Sequence, residues 1–142
     1  MSEAIIRGSC LCGGVAFELT PPVKFCAHCH CSLCRRAHGA GYVTWTGVQA
    51  KNLRITAGEH LLTRYASSED AVRQFCSTCG SSLFFEAERW AGQVHIAVAN
   101  LHDPLPQKPA AHVFFSDRAE WVAIDENLPR LGGPSGTELL DK

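Results

Sequence analysis

The sequence has no long hydrophobic run. Nothing in it approaches the roughly 18 consecutive apolar residues of a membrane-spanning helix, and this excludes a helical membrane protein. It also carries no excess of either charge. Thirteen Lys and Arg against fourteen Asp and Glu give a formal net charge of −1, so there is no electrostatic footprint for nucleic acid or an anionic membrane. The first eight residues lack the basic segment and apolar stretch of a secretory signal. The expected setting is therefore the cytoplasm, whose reducing conditions disfavour disulfides. No repeat of roughly 20 to 50 residues is present, which sets solenoids and propellers aside.

Helical periodicity is scarce too. Only Asp117 to Leu128 fits it over any length, through Trp121, Ile124 and Leu128, and the same stretch reads equally well as a strand. Cys34 to His38 is expected to make a short helical turn that Gly39 and Gly41 end. Elsewhere short apolar alternations stand between turn residues. Val15, Phe17 and Leu19 precede Thr20-Pro21-Pro22, and Val43 and Trp45 precede Gly47. Leu53–Thr56 and Leu61–Tyr65 flank Ala57-Gly58 as a hairpin would. Leu83–Phe85, Val94–Val98 and His112–Phe115 supply three further strands. The fold class is all-β, with a single folded domain over residues 4–130 and a flexible tail over 131–142, which follows Pro129 and contains a glycine-rich break.

What the chain does have in excess is cysteine: eight in 142 residues, about 5.6 %, below the roughly 8–10 % of a disulfide scaffold. They are clustered. Cys10 and Cys12 open a turn with Gly13-Gly14; Cys26, Cys29, Cys31 and Cys34 fall within nine residues; Cys76 and Cys79 precede Gly80. Thiolates one or two residues apart can face one ion about 2.3 Å away, the geometry of tetrahedral zinc. Glycine after the second cysteine permits the tight turn. An iron–sulfur cluster is the rival reading. Cys26, Cys29 and His30 also match the Cys-x-x-Cys-His pattern of c-type haem, a reading the absence of a secretory signal disfavours. Spacing alone does not say which thiols share an ion.

Three motifs in order carry a resemblance: Gly8-Ser9-Cys10-Leu11-Cys12-Gly13, then Cys29-His30-Cys31-Ser32-Leu33-Cys34-Arg35-Arg36, then Phe75-Cys76-Ser77-Thr78-Cys79-Gly80. Leu101-His102-Asp103-Pro104, His112-Val113-Phe114, and Trp121 with Asp125 and Leu128-Pro129 follow. From about Arg7 to Arg130 the chain resembles the glutathione-dependent formaldehyde-activating enzyme family, which includes centromere protein V. The resemblance implies a zinc-stabilised β-tent fold with two zinc ions. By it, Cys10, Cys12, Cys76 and Cys79 close a structural site, while Cys29, Cys31 and Cys34 hold a catalytic zinc with one position open.

The implied activity is that of a carbon–sulfur lyase of the S-(hydroxymethyl)glutathione synthase type, adding glutathione or a related thiol to formaldehyde or a similar aldehyde. Three thiolates leave a zinc unit near −1. Such a unit is poor at activating water and suited to an electron-rich substrate thiol. Arg35 and Arg36 follow the last ligand, where they could pair with a substrate carboxylate or simply be solvated.

Cys26 decides between two classes of function. As a fourth ligand it would close the second site and make the chain a non-catalytic, zinc-stabilised binding module with two structural zincs. As a small buried residue it leaves the site open. Alternation turns His28 and His30 away from Cys29, outside the ligand set. His95 reads as a hydrogen-bonded core or surface histidine, and His102 stands where the family more often has an acid. The tryptophans, Trp45, Trp90 and Trp121, read as core packing. Nothing in the sequence sets an oligomeric state or suggests a nucleic-acid partner.

Overall fold

Alternating apolar residues, many of them β-branched or aromatic, keep most of the chain extended. The computed structural model describes residues 4–124 and 126–140. Among them the strands are β1 (Ile6–Ser9), β2 (Ala16–Leu19), β3 (Phe25–Cys29), β4 (Val43–Gln49), β5 (Leu53–Ala57), β6 (Leu62–Ser68), β7 (Ala71–Cys76), β8 (Ser82–Ala87), β9 (Gln93–Ala97), β10 (His112–Val113), β11 (Leu131–Gly132) and β12 (Glu138–Leu139). One α-helix, α1 (Ser32–His38), joins them. The fold is mostly β, without a closed barrel. No helix among the described residues is long and apolar enough to cross a membrane.

The chain divides into two compact units. The first comprises Met1–Lys24 with Thr46–Pro106, the second Phe25–Trp45 with Gln107–Lys142. In the first, β2 lies between β1 and β5, antiparallel to both, with Ile6 opposite Leu19 and Phe17 opposite Ile55. The strands β6, β7, β8 and β9 form an antiparallel meander. Period-two alternation buries Val15, Phe17 and Leu19 on one face, where they meet Leu83, Phe84 and Ile96. The Phe17 and Phe84 rings pack edge-on at 5.0 Å. Gly8 is required at its place, because a Cβ there would stand 2.7 Å from the Asn100 carbonyl oxygen.

The expected hairpin between Leu53 and Tyr65 does not form. β5 pairs with β2, and β6 pairs with β7, Leu62 standing opposite Cys76. Gly58 at φ 75° and a 3-10 turn over Glu59–Leu61 swing the chain away between the two strands. Gly58 also packs so closely on the Gly14 backbone that no side chain fits.

In the second unit β10 runs parallel to β3, placing His112 beside His28 and Val113 beside Cys29. Helix α1 ends as expected at Gly39, whose left-handed conformation (φ 61°) returns its N–H to the Arg35 carbonyl. Of the stretch from Asp117 to Leu128, Asp117 ends a 3-10 turn and the other described residues form neither helix nor strand; Trp121, expected in the core, is 71 % exposed. Apolar spacing without a partner surface does not fix an element. Asp125 lies outside the described residues. The expected tail carries regular structure: β11 and β12 pair antiparallel, and the Gly133 amide donates to Ser116 Oγ at 2.9 Å. The turn Gly133–Gly136, with both glycines at positive φ, is what a two-strand return needs.

His95 in β9 is 7 % exposed and lies against the rings of Phe85 and Trp90. Burial pushes its pKa down to about 4, so the folded chain keeps it neutral where the unfolded chain protonates. Its contribution to stability is complete above the unfolded value near 6.5 and is lost as pH falls from there to about 4. The loss should be about 3 kcal/mol. Urea unfolding at stepped pH should show a shallower decline over this window for His95→Gln. An unchanged slope would refute the assignment.

Candidate metal centre

In the first unit two tight turns face each other. The first follows β1: the Cys10 N–H donates to the Val15 carbonyl, Gly13 N–H returns to the Cys10 carbonyl, and Gly13 takes φ 79°. The second follows β7, where the Gly80 N–H, at φ 81°, returns to the Cys76 carbonyl. Ser81 links them, its hydroxyl accepting from the Leu11 amide at 2.9 Å and lying 3.2 Å from Cys79 Sγ.

The sulfurs of Cys10, Cys12, Cys76 and Cys79 all lie within 4.8 Å of one another, with Cys10–Cys12 at 3.6 Å and Cys12–Cys76 at 3.9 Å. A tetrahedron of sulfurs about 2.3 Å from a central ion has edges of about 3.8 Å. The four thiols therefore fit a tetrahedral thiophilic cation. Amides of Gly14 and Val15 donate to Cys12 and Cys10 Sγ at 3.4 and 3.3 Å, stabilising negative sulfur. The Ser81 hydroxyl holds the Cys79 thiol down at about 5. Cys10 and Cys76 are buried in the hydrophobic core of this unit, so an ion here would join β1 and β7 from within.

In the second unit Cys29 ends β3, Cys31 is the N-cap of α1 and Cys34 is buried in its first turn. Cys29 Sγ donates to Cys34 Sγ at 3.7 Å, again close to a tetrahedral edge. Hydrogen bonds from Cys29 and Cys34 pull the Cys31 thiol well down, and the same contacts push Cys29 up. Cys26 is 3 % exposed, with its thiol raised by burial. It stands an odd number of residues from Cys29 along β3, so the two side chains leave opposite faces of the strand.

His28 and His30 share the face opposite Cys29. His28 Nδ1 bonds to Thr44 Oγ1 at 2.8 Å, and His30 Nε2 to His112 Nδ1 at 2.9 Å. His30 and His112 are fully buried, and His112 Nε2 lies 3.4 Å from Glu126 Oε1. Tyr42 packs on both His28 and His30. Sequence reasoning missed this cluster. Parity placed His28 and His30 together, but nothing in the order of residues pointed to His112.

Arg35 Nε donates to the His30 carbonyl at 3.4 Å, and Nη2 to the Asp117 carbonyl at 3.0 Å, while Arg36 is exposed. His102 bonds through Nε2 to Ser9 Oγ at 2.6 Å, and the neighbouring Asp103 takes the Arg7 guanidinium. These contacts lie in the first unit.

The profile of the glutathione-dependent formaldehyde-activating enzyme family matches residues 5–117. A Halomonas elongata protein bearing the name "Putative glutathione-dependent formaldehyde-activating enzyme" is 31 % identical over 128 residues, which cover 85 % of this chain and 82 % of that one. A Schizosaccharomyces pombe protein named as an uncharacterized lyase is 30 % identical over 79 residues, 56 % of each chain. Among solved structures, a Rhodobacter sphaeroides protein superposes with a TM-score of 0.57 at 27 % identity, covering 70 % of this chain and 91 % of that one. The matched span contains both cysteine groups and α1, and on that match the chain belongs to the glutathione-dependent formaldehyde-activating enzyme family.

Proposed function

We propose that the chain is a zinc-dependent carbon–sulfur lyase that adds glutathione, or a related thiol, to formaldehyde or a similar small aldehyde. Cys29, Cys31 and Cys34 would hold the catalytic zinc, and Cys10, Cys12, Cys76 and Cys79 a structural one. The observation that carries this reading is a count of sulfurs. Cys29 Sγ lies 3.7 Å from Cys34 Sγ and Cys31 is the N-cap of the same helix, while the remaining cysteine of this unit, Cys26, is buried toward the other face of β3. Four protein thiols close a structural zinc site, whereas three leave one position open, as catalytic zinc sites do. A module with two structural zincs would need Cys26 as a ligand, and strand alternation opposes that.

Zinc held by Cys29, Cys31 and Cys34 would supply positive charge that favours the deprotonated form of an incoming thiol. The chain's own groups prepare the place. Arg35 ties the His30 and Asp117 carbonyls and so fixes the loop between Cys29 and Cys31. His28 and His30 are engaged with Thr44 and His112, which keeps them from the ligand set.

The reaction is an addition without redox change. The thiol S–H proton leaves, a sulfur–carbon bond forms at the aldehyde carbon, and the carbonyl oxygen takes up a proton to become a hydroxyl. A reducing compartment such as the cytoplasm keeps the thiols available as ligands. The test is the rate of S-hydroxymethylglutathione formation with zinc-loaded protein. Acceleration over the spontaneous reaction is expected. A rate equal to the spontaneous one with two zincs bound would overturn the reading in favour of the structural module.

A further inference from the structure

Three arginines of the second unit converge on one turn. The 3-10 turn Phe115–Asp117 follows β10. Arg35, directly after Cys34, donates to the Asp117 carbonyl at 3.0 Å. Arg118 donates to the Phe115 carbonyl at 3.1 Å and lies over the Phe115 ring, its Cζ 4.5 Å from the centroid. Arg130 lies over the same ring at 5.1 Å. Phe115 itself is 5 % exposed, so its ring is a fixed platform for both guanidiniums.

None of the three has a carboxylate within ion-pair distance among the described residues. The carboxylate of Glu126, four residues before Arg130, faces His112. Carbonyls and a ring face orient these side chains without neutralising them. Like charges gathered around one turn favour an anion among them. Each guanidinium offers five N–H donors in a planar fork, and a carbonyl or ring contact engages at most part of it.

We propose that Arg35, Arg118 and Arg130 form a carboxylate-binding cluster that recognises an anionic thiol peptide, such as glutathione, and places its sulfur at the Cys29–Cys31–Cys34 site. The inference rests on the thiol–aldehyde reading and adds to it the feature that selects the thiol. Arg35 connects the two places, since it follows Cys34 in α1 and reaches the Phe115–Asp117 turn. A small neutral thiol has nothing to offer the cluster, whereas a tripeptide with two carboxylates can reach it while its thiol lies several bonds away.

The test uses zinc-loaded full-length protein and S-methylglutathione, whose blocked sulfur leaves the carboxylates to carry the binding. Its diethyl ester, lacking carboxylates, serves as the second probe. Calorimetry should show S-methylglutathione binding the unaltered chain about tenfold or more tighter than the ester, with the preference weakening at high salt. Arg118→Gln combined with Arg130→Gln should erase the preference, and Arg118→Lys with Arg130→Lys should restore part of it, since charge survives and the fork does not. Far-UV circular dichroism identifies any variant that fails to fold, and the lysine pair then carries the comparison. No preference for the acid in the unaltered chain, or an undiminished preference in the folded glutamine variant, would overturn the inference. Carboxylate-dependent binding without any acceleration of the formaldehyde reaction would leave the cluster standing and sink the proposed reaction instead.

Discussion

Cys76→Ser is expected to unfold the first unit. Cys76 is 0 % exposed and shares the hydrophobic core with Val15, Phe17 and Leu83 as well as the four-thiol cluster. Structural zinc sites bind with apparent free energies of roughly 10–16 kcal/mol, and because the site exists only in the folded chain this is folding free energy. A domain is stable by about 5–15 kcal/mol in total, so loss of the ion removes most or all of it. The matched control is Cys26→Ser, an equally buried thiol outside both sulfur groups. It should cost only the ~1–3 kcal/mol of a buried hydroxyl. Thermal unfolding with metal analysis separates the two. Cys76→Ser should lose one zinc per chain and its cooperative transition, as should a strong chelator on the unaltered chain. Cys26→Ser should keep two zincs. Equal losses of melting temperature in the two variants would mean that the Cys10–Cys79 cluster holds no ion.

The two cysteine turns were legible in the sequence because their geometry is local: a pair of thiols two or three positions apart, closed by a glycine with positive φ at Gly13 or Gly80. That the turn at Cys10 faces the turn at Cys76 was not legible from spacing. It depends on core packing that brings residues about 65 positions apart together, and only the family resemblance supplied the pairing. The strands read from alternation around Phe17, Trp45, Phe84 and Ile96 stand where expected.

The hairpin at Ala57-Gly58 failed because a glycine turn between two apolar runs says that the chain bends but not which neighbour each run finds. Gly58 bends it onto the Gly14 backbone, and β5 goes to β2. Asp117–Leu128 failed as an element because its apolar residues face no continuous surface, with Ala119 buried and Trp121 exposed two positions later. The histidine cluster and the arginines around Phe115 were invisible for a related reason. Each joins residues near 30 to residues near 115 through the parallel pairing of β3 with β10, a pairing that two-residue strands do not announce.

Cys31→Ala is expected to abolish turnover while leaving the chain folded. Cys31 is half-buried at the N-cap of α1, where its side chain makes no capping hydrogen bond, so truncation removes little packing and should cost no more than about 2 kcal/mol. Its loss takes away the thiol whose pKa the neighbouring Cys29 and Cys34 pull well down. The remaining pair, with Cys29 Sγ 3.7 Å from Cys34 Sγ, is too few for a stable site. Zinc should fall from two to one per chain, the remaining ion being the one that supports folding. The rate above the spontaneous reaction should fall by about 100-fold or more, as removal of a group needed only for the chemical step does.

Cys76→Ser and Cys31→Ala therefore separate the two roles: the first should lose structure and activity together, the second activity alone. Cys31→Ala that keeps both zincs and full acceleration would move the chemistry away from α1. Cys31→Ala that unfolds as readily as Cys76→Ser would make the second site structural, and the chain would then be a zinc-stabilised module rather than a lyase.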